Sequence, residues 1–131
     1  MYLLKKNIFS KHLNNHPLIF CLNPGRSGSK FLAELFNTGE KIKAYHEPKP
    51  KMNGVYLDYI NNMKLDESYD KRKIKVQALK RKLSFWNKDT IYCETTHMFI
   101  KTFYDVILDE FENVKVIRLK RDFFSILKSF V

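Results

Sequence analysis

The chain has 131 residues, which bounds it to one domain with a real core. A hydrophobic share of 44% with 15% aromatics excludes a disordered chain, and the 24 Lys and Arg against 14 Asp and Glu give a charge of +10. That excess points to anionic partners, or to no more than a solvated basic surface, and does not choose between nucleotide, glycan, nucleic acid or membrane.

The first fifteen residues are interrupted by Lys5, Lys6, Lys11 and His12. They lack the apolar stretch and small-residue cleavage site of a signal peptide, and no run approaches the 18 to 20 or so apolar residues of a membrane span. A cytoplasmic protein is the expectation. His12 and His16 have no partner at an informative spacing and read as structural. Cys21 and Cys93 each fall inside an apolar run, with neither metal-ligand spacing nor a disulfide framework, and read as small core residues.

In chain order, Pro17 to Leu22 predicts a first strand, followed by the loop Pro24-Gly25-Arg26-Ser27-Gly28-Ser29-Lys30 and a helix from Gly28 to Asn37 ended by Thr38-Gly39. Lys41 to His46 predicts a second strand, leading into Glu47-Pro48-Lys49-Pro50. Val55 to Met63 reads as a helix, and Asp66 to Asn87 as a longer one with Val76, Leu79, Leu83 and Trp86 on one stripe. On it, Lys71, Arg72, Lys73, Lys75, Lys80, Arg81 and Lys82 form a strongly basic face. Such a face is usually solvated, and is also suited to an anionic acceptor, a membrane surface or RNA.

Thr90 to Glu94 predicts a third strand, Phe99 to Phe111 a helix with Phe103, Val106, Ile107 and Phe111 inward, and Val114 to Leu119 a fourth strand. From Asp122 onward the chain reads as helix, still rich in apolar side chains at Phe123, Phe124, Ile126, Leu127, Phe130 and Val131. That ending predicts a truncated domain whose last helix lacks its partner; the other reading is a helix docked on the existing core. Strands alternating with helices, without hairpin signals, predict an α/β fold with a parallel sheet and crossover helices, incomplete at its C-terminus.

A strand, a glycine loop and a helix N-terminus together suit a phosphate or sulfate, because the first turn of a helix has unpaired N–H groups and a partial positive charge. Walker A spacing fails: Gly25 and Gly28 are three apart, Lys30 is two past Gly28, and no strand ends in an Asp placed for Mg²⁺, Glu94 being nearest. The loop is either a phosphate cradle of another kind or a plain βα turn.

Pro24 to Ser29 with Leu32 resembles the 5′-phosphosulfate loop of sulfotransferases that use 3′-phosphoadenosine 5′-phosphosulfate (PAPS). Val116 to Asp122 followed by Ser129 resembles that family's 3′-phosphate segment, a strand ending in Arg with a Ser eight residues later. The resemblance implies a three-layer α/β/α, P-loop NTPase-like form of the fold. It implies that Arg26, Ser27, Gly28 and Ser29 hold the 5′ end of the donor, with Arg26 also stabilising transferred charge; Lys30 stands where the family commonly has Ser or Thr, and its place in the donor site rests on its charge beside the loop. The same resemblance implies that Arg121 and Ser129 hold the 3′-phosphate, to which Arg121 can offer a bidentate contact. Ser125 shares the helix face of Ser129; Arg121-Asp122 also reads as a surface ion pair or helix cap.

His46-Glu47-Pro48 falls where several branches carry a catalytic base, which is Glu in the carbohydrate-modifying ones, so Glu47 is the first choice and His46 the second. The plain alternative is an exposed turn. Glu94-Thr95-Thr96-His97 resembles a segment lining the acceptor side; equally, His97 can be an exposed residue at a helix start with Thr95 or Thr96 as its cap.

The expectation is therefore a PAPS-dependent sulfotransferase of one domain, residues 1–131, truncated after the 3′-phosphate strand and helix, using no metal. Its acceptor is a hydroxyl or amine on a carbohydrate or small molecule, with no specific nucleic acid. The rivals are a P-loop nucleotide kinase or NTPase, and a non-catalytic basic binding module or inert sulfotransferase remnant.

Overall fold

A computed structural model describes residues 13–130; the leader expectation over residues 1–12, His12 and Val131 lie outside the described residues. β1 (Leu18–Leu22), β2 (Ile42–Tyr45), β3 (Ile91–Glu94) and β4 (Val114–Arg118) form one parallel sheet in the order β2-β3-β1-β4. β1 is thus flanked on both sides, Ile19 facing Cys93 on β3 and Lys115 on β4. The connections are α1 (Ser29–Phe36), α2 (Val55–Asn62), α3 (Tyr69–Arg72), α4 (Ile74–Leu83) and α5 (Tyr104–Glu110), and α6 (Phe123–Lys128) follows β4. No helix among the described residues is long and apolar enough to cross a membrane.

Alternation along the strands divides the apolar residues between the two faces. On one face Ile19, Ala44 and Cys93 pack with Ala33 and Phe36 of α1. On the other, Leu18, Phe20 and Tyr92 join Val76, Leu79 and Leu83 of α4 with Val106 and Ile107 of α5 in the larger cluster. Phe20 stacks on Phe99 at 4.5 Å between ring centres. Both cysteines are free and buried, and burial pushes the Cys93 thiol up to about 12, which leaves it unreactive. His16 is buried too, its Nε2 2.7 Å from the Thr90 carbonyl and its ring edge-on to Trp86.

Two helices differ from the sequence reading. The run over 66–87 is divided, because the backbone loosens at Lys73 (ψ −12°) and i→i+3 bonds from Phe85 and Trp86 close it after Leu83. The run over 99–111 opens as a π-helix, Phe99–Phe103, before α5.

The basic face is the larger correction. Arg72 and Lys75 are not on the surface: both are buried. Arg72 forms a bidentate pair with Asp105 and also donates to the Thr102 carbonyl in the π-helix. Lys73 and Lys80 both pair with Glu110, while Lys71 and Lys82 lie over the rings of Tyr59 and Tyr45. Four of these cations, Arg72, Lys73, Lys75 and Lys80, thus have carboxylate partners and two lie over rings, which breaks up the continuous basic stripe that the sequence predicts.

Candidate functional site

Loops at the carboxyl ends of β1 and β3 lead to helices on opposite faces of the sheet, which opens a crevice between them. The β1–α1 loop fills its centre. Gly25 (φ +88°), Arg26 (φ +55°) and Gly28 (φ +91°) are all left-handed, a sequence of turns that the two glycines adopt without strain. Gly25 also lies against His97, whose ring atoms would be 3.7 Å from an added Cβ. Asn23 fixes the loop: its Oδ1 accepts from Gly25 N at 3.0 Å and its Nδ2 donates to the Thr95 carbonyl at 3.3 Å, joining the ends of β1 and β3.

α1 starts at Gly28 with no side chain capping its N–H groups. Ser27 is buried, and its Oγ has no hydrogen-bond partner among the described residues. The uncapped N–H groups at this helix start are the donors that an anion in front of the loop would meet, whereas the buried Ser27 hydroxyl is not among the groups that line the cavities.

In front of the loop is a cavity of about 550 Å³ lined by Pro24, Gly25, Arg26, Gly28, Ser29, Lys30, His46, Glu47, His97, Lys101 and Phe130. Six of the residues singled out from sequence therefore meet here: Arg26, Gly28, Ser29, Lys30, His46 and Glu47. Ser27 lies behind the wall. Arg121 lines an adjoining cavity of about 610 Å³ with Arg118, Lys120 and Lys101, and its Nη1 donates to the Arg26 carbonyl at 2.9 Å. Ser129 lines neither; its hydroxyl donates to the Ile126 carbonyl at 2.6 Å, while its own carbonyl accepts from Arg26, whose guanidinium lies 5.2 Å above the Phe130 ring. Asp122 caps α6, accepting from Ser125 N at 3.0 Å.

Glu47 is held at φ +49°, an uncommon conformation for a residue with a side chain and one that recurs where a site fixes geometry. Its Oε1 lies 3.2 Å from His97 Nδ1 and 3.9 Å from His46 Nε2, and His46 Nδ1 is 3.3 Å from Thr95 Oγ1. Thr96 Oγ1 accepts from Met98 N at 3.2 Å, just ahead of the π-helix Phe99–Phe103, whose N-cap position is Met98 and carries no side-chain cap. Burial, then the charge of Lys101, hold the His97 imidazolium below its ordinary pKa of 6.5, against the pull of Glu47. His97 is thus neutral near pH 7 and able to accept a proton.

Because the folded value is the lower one, the unfolded chain binds more protons between that value and 6.5. Stability therefore declines as pH falls from 6.5 through the folded value and is level above it. An NMR titration of the ring is expected to show a midpoint below 6.5, lowered further in Glu47→Gln; a midpoint at or above 6.5 would contradict this account.

Beneath these groups, Lys75 Nζ lies 2.8 Å from Glu94 Oε1 and donates to the Pro50 carbonyl at 3.1 Å, while Tyr92 OH donates to Glu94 Oε2 at 2.7 Å. Glu94, the acid nearest a Mg²⁺ position in the sequence, is consumed by these bonds and does not line the cavity. The sequence signal for Lys101 is its four-residue spacing from His97, while Arg118 and Lys120 lie within the Val116 to Asp122 segment without a role of their own there. Among the described residues no group of three or more His, Cys, Asp or Glu is placed to hold a metal ion. Comparison with protein-family models, with curated proteins and with solved structures finds no match to this chain.

Proposed function

We propose that the chain binds a nucleotide carrying anionic groups at two ends, and that its chemistry is sulfuryl transfer from PAPS to a hydroxyl or amine acceptor on a P-loop-like α/β core. The observation that carries this reading is the meeting of the β1–α1 loop with the cationic end of β4, joined by the Arg121 bond to the Arg26 carbonyl. Such a donor has a 3′-phosphate as well as a phosphosulfate, and calls for two cationic sites a short distance apart.

In the proposed reaction the acceptor oxygen or nitrogen attacks sulfur, the bond from sulfur to the bridging oxygen breaks, and the acceptor proton passes to the Glu47–His97 pair. The leaving nucleotide keeps the bond electrons as 3′,5′-ADP. Loop N–H groups with Arg26 and Lys30 stabilise the charge that develops on the bridging and sulfuryl oxygens. Neutral His97 with Glu47 at 3.2 Å supports the pair as acceptor of the proton, with Glu47 stabilising the imidazolium formed. The occupied state of Glu94 favours this reading over a Mg²⁺-dependent kinase built on that acid.

Calorimetric titration with 3′,5′-ADP tests the reading. Wild type is expected to bind, and Arg121→Ala to bind about 10- to 100-fold more weakly, the worth of a charge-assisted contact. An absence of binding by wild type, or Mg²⁺-dependent ATP hydrolysis without affinity for 3′,5′-ADP, would overturn it.

A further inference from the structure

Two cavities open at the carboxyl edge of the sheet, and the residues common to their walls are Pro24 and Lys101. The first holds the loop cations Arg26 and Lys30; the second holds Arg118, Lys120 and Arg121 and no acidic side chain. Lys101 is exposed and makes no ion pair among the described residues, unlike Arg72, Lys73, Lys75 and Lys80, each of which has a carboxylate partner. It belongs to the π-helix, a wide turn that is uncommon in proteins and frequent at functional sites. Arg72 braces that turn from inside through the Thr102 carbonyl, next in sequence to Lys101.

We propose that Lys101 is a specificity-determining residue that makes one extended site of the two cavities, selecting ligands with anionic groups at both ends over ligands with one. The inference rests on the reading of this groove as the site of a two-ended anionic donor. An unpaired ammonium on the shared wall attracts charge in either cavity and offers three donors to groups passing between them. A ligand filling one cavity meets that cation from one side; a ligand filling both meets it along its length. Lys101 also sets the charge beside His97, so the same side chain links ligand charge to the protonation of the candidate base.

The test compares ligand pairs on wild type, Lys101→Ala and Lys101→Arg by calorimetry: 3′,5′-ADP against 5′-AMP, and fructose 1,6-bisphosphate against fructose 6-phosphate. Lys101 is solvent-exposed, and unchanged melting curves will show that the variants fold. Wild type is expected to prefer the two-ended member, Lys101→Ala to lose about tenfold of that preference, and Lys101→Arg to retain it. If 3′,5′-ADP binds and its preference over 5′-AMP survives in Lys101→Ala, the role of Lys101 is refuted while the donor reading stands. If no nucleotide binds but the sugar bisphosphate shows a Lys101-dependent preference, the donor reading fails and the role of Lys101 stands. No preference within either pair on wild type, or no binding at all, overturns the inference.

Discussion

Lys75→Met is expected to destabilise the fold by about 3–5 kcal/mol, the usual cost of removing one partner from a buried ion pair. Lys75 and Glu94 are both buried, and burial opposes charge on each, pushing Lys75 down and Glu94 up while each partner's charge offsets the shift. With Lys75 gone, Glu94 keeps the Tyr92 hydroxyl and the smaller influence of the Lys82 charge, and its carboxyl moves further upward. The folded variant then holds a proton that the unfolded chain has released. Its stability therefore falls as pH rises from 4.5 towards the raised folded value, so the deficit is smaller near pH 5 than near pH 8. Urea unfolding at the two pH values measures both effects. Lys75→Met with Glu94→Gln removes both charges while leaving Tyr92 an acceptor, and is expected to recover at least half of the loss. A double variant as unstable as the single one would show that the Pro50 carbonyl bond, and not the unpaired acid, is what matters.

The second large effect is expected at Arg72, where substitution by methionine costs about 3–5 kcal/mol. Its guanidinium is satisfied throughout: Nε donates to Ser68 Oγ at 2.9 Å, Nη1 to the Thr102 carbonyl at 3.2 Å, Nη2 to the Leu65 carbonyl at 2.7 Å, and the fork grips both oxygens of Asp105. Lysine keeps the charge but not the fork, so Arg72→Lys is expected to lose about 2 kcal/mol or more. Thermal unfolding gives the magnitude. The NMR shift of the His97 ring gives the consequence for the site, because Thr102 belongs to the π-helix that begins two residues after His97. An Arg72→Lys variant as stable as wild type would remove Arg72 from this role.

Much of the backbone was legible in the sequence. Leu18 to Leu22 is an apolar run of strand length, Val114 to Arg118 is a β-branched segment interrupted by Lys115, and the stripe Val76, Leu79, Leu83 has the helical period and is buried as that period requires. The β1–α1 loop was legible because left-handed turns need glycine, and glycine is visible in a sequence. Arg72 and Lys75 were not, because a cation on a helix reads as surface until the acid it meets is known, and Asp105 and Glu94 lie 33 and 19 residues away. Glu47 and His97 each stood out alone, but their contact across two strand ends arises from the order β2-β3-β1 and not from any spacing in the chain. The shared position of Lys101 depends on a π-turn that the apolar period over Phe99 to Phe111 does not reveal.

The central place of β1 has a consequence for how the loop meets a ligand. Amides held from both sides of a sheet exchange with solvent only in the rarest openings, so β1 should be among the slowest-exchanging segments of the chain. The loop leaves its carboxyl end directly, and Asn23 pins it to the neighbouring strand. Under the proposed function, an incoming anion would find donors whose ordering was accomplished when the sheet formed, and little further chain entropy would be lost on binding. Rigidity at the centre of the sheet would then serve affinity at its rim.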